Sequence, residues 1–143
     1  LGEERYYRKI AMSICKRRQK KSITSTQDLV DIVLACKPRK SKRHPATKVF
    51  RAIRMKVNQE LLELHKVLDE ASKVLKFGGR LVVISFHSIE DRIVKRFILG
   101  KDKIDRPVKF KPVGKNPLKP TKEEISRNPR SRSAILRVAE KVA

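Results

Sequence analysis

The sequence has few cysteines and no long apolar run, and each shortage excludes a class of protein. Its two cysteines, Cys15 and Cys36, stand apart without a CxxC motif or a Cys/His cluster, so neither a zinc site nor a disulfide framework is predicted. Both thiols lie on apolar helical faces, where free cysteine is usually buried. The longest uncharged run, Leu81 to Ile89, is far shorter than the roughly 20 apolar residues of a spanning helix. We expect buried thiols, no metal site and no membrane span.

Glycine is also scarce, which bears on the binding of nucleotides and cofactors. The five glycines are Gly2, Gly78, Gly79, Gly100 and Gly114. None of them forms a glycine-rich turn between a strand and a helix, the motif that lets backbone amides approach a phosphate. The sequence therefore predicts no glycine-rich cofactor loop.

Acidic residues are a small minority of the charged residues. Lysine and arginine number 37 against 15 acidic residues, which gives a formal charge of +22. Such a field attracts polyanions, of which nucleic acid is the commonest. An anionic membrane surface is the rival partner, but the chain lacks the hydrophobic anchor that such binding requires. Apolar residues make up 39% of the chain and recur periodically, so we expect one folded domain, or one lobe of a larger one.

Helical periodicity dominates the first half of the chain. Apolar residues recur at spacings of three and four from Glu3 to about Lys20, and again after Ser22 up to Cys36. A cationic loop follows over residues 38–45. The pattern then continues from Ala46 to about Lys76, which is so long for a globular helix that we expect a bend or a division between two lobes.

The second half combines strands and helices. Residues 81–86 form an apolar, β-branched run, typical of a strand buried on both faces in a parallel sheet. A helix follows, and this order of helix, strand and helix favours an α/β fold with a parallel sheet. Residues 108–111 are a candidate short strand, residues 121–128 a short capped helix, and residues 133–140 a last strand, antiparallel at the sheet edge.

The turn Ser85 to Ser88 is the first candidate site. In open α/β sheets, ligands bind beyond the carboxyl ends of strands, and the amides of the following helix suit an anion or a polar ligand. The alternative is that Ser88 and Asp91 only cap the helix, which we favour for those two residues. For His87, hydrogen bonding to backbone and a place near a reaction pocket both stay open. His87 and Ser88 are therefore the pocket candidates.

Two basic stretches are candidates for phosphate contact. One runs from the cationic loop into the next helix, where Lys48, Arg51 and Arg54 share one side, and the other is the turn 128–133. The turn lacks aromatic residues, which favours phosphate binding over base stacking. A merely solvated face is the alternative. The predicted phosphate contacts, which are the candidates for binding nucleic acid, are Lys42, Arg43, His44, Lys48, Arg51, Arg54, Arg130 and Arg132.

Four blocks of sequence together resemble one known family. They are GEER at 2–5, HPATKVFRAIR at 44–54, FGGRLVVISFHSIEDRIVKRF at 77–97 and NPRSRSAILR at 128–137. In this order, and over nearly the whole chain, they are similar to the ribosomal RNA small subunit methyltransferase H family. The chain resembles the carboxyl-terminal half of that family.

The resemblance implies a fold and an activity. It implies a Rossmann-like methyltransferase sheet interrupted by a helical insert for RNA, with residues 1–57 belonging to the insert and residues 58–143 to the sheet domain. It implies transfer of a methyl group from S-adenosylmethionine to the exocyclic amino nitrogen of a cytidine in small-subunit ribosomal RNA, in the cytoplasm. The expected partner is that RNA or the ribosomal subunit. A homodimer is a further expectation, because absent strands would leave a sheet edge exposed.

One departure from the family pattern is large. The glycine-rich loop and the acidic positions that hold the methyl donor in this family lie on earlier strands, which this chain lacks. The main S-adenosylmethionine contacts are therefore expected outside it. A non-catalytic RNA-binding fragment that has lost the donor site is the alternative function.

Overall fold

The computed structural model describes residues 1–37, 44–101 and 109–142. The chain divides into two compact units, Leu1–Glu60 and Leu61–Ala143. None of the described helices has the length and apolar character needed to cross a membrane. The units are called unit 1 and unit 2 below. The assignment of an RNA-binding insert and a methyltransferase domain to parts of the chain stays a prediction.

Unit 1 is helical and has its own core. It contains α1 (Tyr7–Lys20), α2 (Thr26–Cys36) and α3 (Thr47–Val57). Ser25 and Asp28 form a reciprocal capping box that begins α2, as the hydroxyl-rich segment before it predicts. The buried apolar core of this unit consists of Ile10, Leu29, Val33, Cys36, Ala46 and Val49.

Two details of unit 1 differ from the prediction. Helix α1 begins at Tyr7 rather than Glu3, because Gly2 and Glu3 have positive φ angles of 70° and 52° that a right-handed helix cannot contain. Cys36 is buried as predicted, whereas Cys15 is exposed. Helix α1 is amphipathic, and Cys15 lies at the solvent-exposed edge of its apolar face.

The long helical pattern is divided, as expected from its length. Helix α3 ends at Val57 and α4 (Glu60–Val74) begins three residues later. Between them, Gln59 has a φ angle of 51°, a left-handed conformation that interrupts the helix. The boundary between the two units follows directly after Glu60.

Unit 2 contains a small antiparallel sheet. Its elements after α4 are β1 (Arg80–Ser85), α5 (Ser88–Ile98), β2 (Phe110–Pro112), α6 (Lys122–Arg127), a 3-10 helix (Pro129–Ser133) and β3 (Ile135–Lys141). The strand order is β1-β3-β2, and both pairings are antiparallel. The predicted parallel sheet is therefore wrong for the described residues. The last strand is antiparallel as predicted, but it lies in the middle of the sheet instead of at its edge.

Among the described residues of unit 2, the helices cover one face of the sheet. Leu81 on β1 and Ala139 on β3 are buried in a core with Leu68 of α4 and with Val94 and Phe97 of α5. The alternate side chains of β1 lie on the other face, where Val82 and Ile84 are 58% and 57% exposed. The prediction of a strand buried on both faces is thus not met, because an apolar run does not specify what covers it.

Candidate functional site

The turn from β1 into α5 is closed by its own side chains. His87, not Ser88, is the N-cap residue of α5, and its Nδ1 accepts a hydrogen bond from the Glu90 amide at 3.3 Å. In return, Glu90 Oε2 accepts hydrogen bonds from the amides of Phe86 at 3.0 Å and His87 at 3.3 Å. The Glu90 carboxylate therefore binds the two backbone amides that precede α5 and completes a reciprocal capping box with His87.

The His87 side chain is held in one orientation. Its side chain is 9% exposed, and its Nε2 lies 3.3 Å from Glu90 Oε1. Both ring nitrogens thus face groups at the start of the same helix. This arrangement gives His87 the backbone hydrogen bond that was one of its two predicted roles.

Asp91 has a long-range partner instead of a capping role. Its two carboxylate oxygens accept hydrogen bonds from Arg137 Nε at 2.7 Å and Arg137 Nη2 at 3.0 Å. The two side chains are 17% and 11% exposed, so this fork-shaped pair is largely withdrawn from water. The prediction that Asp91 caps α5 is wrong; it joins α5 to β3.

Arg137 is a functional candidate that the sequence did not indicate. It stands at an inward-facing position of β3, between apolar neighbours, and is 9% exposed. A lone cation at a core position of an alternating strand signals a buried partner, because charges are rarely buried unpaired. Its pairing with Asp91 connects two of the four sequence blocks, 77–97 and 128–137.

The block at residues 2–5 is anchored by basic side chains predicted to bind RNA. Arg51 Nη2 donates a hydrogen bond to the Gly2 carbonyl at 2.7 Å, and Lys48 Nζ donates to the Glu3 carbonyl at 2.9 Å. Within unit 1, these two cations hold the amino-terminal turn against α3.

Glu4 completes this anchor with an ion pair. Its Oε2 lies 2.8 Å from Lys37 Nζ, which also donates to the Pro45 carbonyl at 2.8 Å. Burial raises the pKa of the Glu4 carboxyl, but hydrogen bonds from Lys37 and the Tyr6 amide, with the charges of Lys37 and Lys48, hold that pKa below its usual value.

The remaining cations of the first basic stretch are placed as follows. Arg54 Nε and Nη2 contact the Glu60 carboxylate at 2.7 and 3.2 Å. His44 is exposed, and its Nδ1 accepts from the Ala46 amide at 3.3 Å just before α3. Lys42 and Arg43 lie outside the described residues. The stretch thus provides intramolecular contacts from most of its described cations.

The second basic stretch is arranged differently. Arg130 and Arg132 are exposed on the 3-10 helix, whose start is capped by Asn128 Oδ1 accepting from the Arg130 amide at 3.3 Å. Across residues 1–37, 44–101 and 109–142, no hydrogen bond or ion pair engages either guanidinium group. These two cations are therefore available to an external anion.

The described residues do not fit a methyl-donor site. The β1–α5 turn contains no glycine, and Glu90 accepts hydrogen bonds from the amides of Phe86 and His87 just before α5. Gly78, Gly79 and Gly100 do not lie between a strand and the helix that follows it, and Gly114 is a single glycine in the loop from β2 to α6. The described residues thus include no glycine-rich turn of the kind that holds a cofactor between a strand and a helix.

Comparison with known proteins defines the class to which these motifs belong. Residues 1–142 match the MraW methylase family, and the chain belongs to this family of methylases. It is 47% identical over 154 residues to a protein from Coxiella burnetii (strain RSA 493 / Nine Mile phase I) named ribosomal RNA small subunit methyltransferase H. The resemblance stated from the four sequence blocks is thereby confirmed.

Further relatives have the same name, and this chain again matches about half of the length of each. The protein from Legionella pneumophila (strain Paris) is 48% identical over 155 residues, and that from Buchnera aphidicola subsp. Acyrthosiphon pisum (strain Tuc7) is 45% identical over 154 residues. The matches cover 99% and 97% of this chain but 50% and 49% of those proteins. The chain spans about half the length of the curated relatives it matches.

Proposed function

We propose that this chain is part of an enzyme that methylates small-subunit ribosomal RNA in the cytoplasm. The observation that carries the proposal is the family match over residues 1–142, with relatives named for methylation of that RNA. The charge of +22 supports an RNA substrate, because neutralising phosphates is the main electrostatic contribution to nucleic-acid affinity. In its finer form, the proposal takes the exocyclic amino nitrogen of a cytidine as the acceptor and S-adenosylmethionine as the donor.

Both halves of a family protein would contribute to the proposed reaction. In this proposal the donor contacts belong to the half that this chain does not match, because the described residues include no glycine-rich turn before a helix. This chain would contribute the β1–α5 turn, where His87 and Ser88 are the pocket candidates beyond the carboxyl end of β1. The Asp91–Arg137 pair would hold that turn against β3.

The proposed RNA contacts differ in whether their charged groups already bind another part of the chain. Arg130 and Arg132 carry the strongest support, because their guanidinium groups are exposed and unengaged within the described parts of the chain. Lys48 and Arg51 already bind the carbonyls of residues 2 and 3, so they would bind phosphate only in addition to that role. His44, Arg54, Lys42 and Arg43 complete the proposed set.

A non-catalytic RNA-binding fragment is the second candidate function. The exposed guanidinium groups of Arg130 and Arg132 favour it, since they can bind RNA phosphate without any methyl transfer. The two candidates agree on RNA and differ on methyl transfer.

The test joins this chain to the half of a relative that it does not match. A single polypeptide would combine the unmatched half of the Coxiella burnetii relative with this chain, and the intact relative would be the positive control. Methyl transfer from radiolabelled S-adenosylmethionine to small ribosomal subunits would be measured, and the modified nucleoside identified by mass spectrometry. We expect a methylated cytidine amino group with the chimera and none with this chain alone.

Two other outcomes would contradict one or both of the candidate functions. A folded chimera that binds the RNA without transferring a methyl group would contradict the enzyme and support the fragment. Absence of RNA binding by this chain at low salt would overturn both. Titration of this chain with S-adenosylmethionine adds a third check. An affinity near that of the intact relative would contradict the proposal that the donor contacts lie in the other half.

A further inference from the structure

Phe86 is an exposed aromatic residue in the turn between β1 and α5. It is 56% exposed, whereas Phe97 of α5 is 5% exposed and belongs to the core of unit 2. It follows the last residue of β1 and precedes the N-cap residue of α5. A single exposed apolar side chain is ordinary on a protein surface, so the groups around the ring decide whether it has a use.

The antiparallel register brings the second basic stretch to the same end of the sheet. β1 ends at Ser85, which pairs with Ile135, the first residue of β3. Phe86 follows directly on β1, and the 3-10 helix that carries Arg130 and Arg132 ends just before β3. Because neighbouring strands are about 4.8 Å apart and a 3-10 helix rises about 2 Å per residue, the two arginine backbones lie within about 15 Å of Phe86.

Both parts of this surface are held in place by side-chain contacts. The Phe86 amide donates a hydrogen bond to Glu90 Oε2 at 3.0 Å, which fixes the backbone that carries the ring. The Asp91–Arg137 pair joins α5 to β3 near the same end of the sheet. A backbone that is already ordered loses little conformational entropy when a ligand binds.

An exposed ring beside two unengaged guanidinium groups fits one class of ligand. Proteins bind single-stranded nucleic acid through basic groups on the phosphates and aromatic rings on which the bases stack. The turn 128–133 has no aromatic residue of its own, and Phe86 supplies one from a distant part of the chain. The charge of +22 attracts polyanions, which favours RNA over an apolar protein surface.

We propose that Phe86 stacks on an unpaired base of single-stranded RNA whose neighbouring phosphates are bound by Arg130 and Arg132. The inference rests on the proposed function for its RNA ligand and adds a residue that binds a base. Since every base has a face that can stack, Phe86 contributes affinity and position and does not select the nucleotide. RNA binding that is independent of Phe86 would overturn this inference and leave the proposed function intact.

Titration of a short single-stranded oligocytidylate into wild type and Phe86→Ala measures the contribution of the ring. We expect the Kd to rise about tenfold, the size expected for the loss of one stacked base. The slope of log K against log salt should stay unchanged, because stacking on a phenyl ring releases no counterions. A Kd that does not rise, or a slope that falls, would contradict the proposal.

Phe77→Ala is the matched control for this measurement. Phe77 is 76% exposed and lies before the opposite end of β1, and the Lys141 ammonium group is 5.5 Å from the centre of its ring. This variant also removes an exposed phenyl ring beside a cation, and it should leave the Kd unchanged. Equal losses in the two variants would show that the position of Phe86 has no special effect.

A second ligand separates the ring from the charge. A chain of abasic ribose phosphates of the same length keeps the phosphates and lacks the bases, so Phe86→Ala should bind it with the affinity of wild type. That result also shows that the variant keeps a folded basic surface. Phe86→Tyr should restore tight binding of oligocytidylate, and Phe86→Leu, which is apolar without a ring, should not. An equal effect of Phe86→Ala on both ligands, or rescue by Phe86→Leu, would overturn the proposal.

Fluorescence detects the stacking directly. The chain contains no tryptophan, so Phe86→Trp introduces a single indole at this position and Phe77→Trp one at the control position. Oligocytidylate should quench the indole at position 86 by contact with a base and leave the indole at position 77 unchanged. Quenching of both, or of neither, would contradict the proposal.

The same substitution tests whether protein covers Phe86. Phe86→Trp would be placed in the polypeptide that joins this chain to the unmatched half of the Coxiella burnetii relative, and its fluorescence compared with that of the parent polypeptide. We expect the added indole to be accessible to acrylamide before RNA is added and protected afterwards. An indole that acrylamide cannot reach in the absence of RNA would show that Phe86 contacts the other half, and the proposal would be wrong.

Discussion

At the scale of single residues, many cations of this chain act inside the molecule. Lys37, Lys48 and Arg51 hold the amino-terminal turn, and Arg137 holds α5 against β3. Each pairs with a carboxylate or a carbonyl far away in sequence. The count of 37 basic side chains therefore overstates the number that are free to contact RNA phosphate.

The Glu4–Lys37 pair predicts how the stability of unit 1 depends on pH. The pKa of Glu4 is lowered in the folded state, so its contribution to stability is present above the ordinary carboxyl pKa of about 4.3 and is lost as the pH falls through the lower folded value. Glu4→Gln should cost roughly 1.5–3 kcal/mol at pH 7, typical of a hydrogen bond to a charged group. Its disadvantage should shrink below pH 4.

Urea unfolding of wild type and variant between pH 3 and pH 7 measures this difference. Glu70→Gln is the matched control, because the Glu70–Lys73 pair is exposed on α4 with side chains 67% and 66% accessible. That variant should unfold close to wild type at every pH. A Glu4→Gln cost that stays constant with pH would contradict the ion-pair explanation.

The Asp91–Arg137 pair predicts a second stability effect. Asp91→Asn leaves a largely buried guanidinium without its carboxylate, so we expect a loss on the order of 2–3 kcal/mol by chemical denaturation. Glu140→Gln is the comparison, since the Arg80–Glu140 pair is wider at 3.6 Å and more exposed, and such pairs contribute less than about 1 kcal/mol. Equal losses in the two variants would show that burial of the Asp91 pair has no special effect.

At the scale of elements, the amino-terminal turn depends on one glycine. Gly2 has a φ angle of 70°, and a Cβ there would lie 2.4 Å from the Lys48 carbonyl oxygen and 2.8 Å from Ala52 Cβ. Both contacts are on α3, so a side chain would force the turn away from that helix. The hydrogen bonds from Lys48 and Arg51 would be lost with it.

Gly2→Ala should therefore destabilise the protein by more than the roughly 1–3 kcal/mol of backbone strain alone. Gly114→Ala separates the two effects, because Gly114 has a similar φ angle of 61° with open space around it. Calorimetry of both variants, with hydrogen exchange of α3, would measure the difference. Similar losses, or unchanged exchange in α3, would count against the close contact.

The division between α3 and α4 belongs to the same scale. The apolar repeat continues across residues 46–76, and its length predicts an interruption. The repeat does not predict the place, because Gln59 carries no sequence signal for its left-handed conformation. Tertiary packing on either side decides where the helix ends.

At the scale of the whole molecule, RNA affinity should fall steeply with salt. Each phosphate contact adds about 0.7 to the slope of log K against log salt for single strands and about 0.9 for duplexes. Replacing both Arg130 and Arg132 with glutamine should therefore lower the slope by about 1.4–1.8. Binding of a small-subunit RNA fragment between low and high salt measures it.

A control of equal charge loss makes this prediction specific. Lys66→Gln with Lys73→Gln also removes two positive charges, but these ammonium groups pair with Glu63 and Glu70 on α4. That double variant should change the slope little. Equal reductions in both double variants would show that net charge, and not the 3-10 helix, controls the affinity.

The sequence alone determined the local elements and the family. Helix α2 follows from its capping box and apolar spacing, β1 from its β-branched run, and membership from four blocks in order. A capping box, an apolar spacing and a sequence block each consist of residues close together in the chain, so each can be recognised from the sequence.

Only the tertiary structure decided which groups meet across long separations. Arg137 and Asp91 are 46 residues apart, and Arg51 and Gly2 are 49 apart. The antiparallel pairing of the strands and the exposure of one face of β1 also depend on how distant segments pack. Periodicity shows that a side chain is apolar or charged, but not its partner, because pairing is set by how separate elements pack.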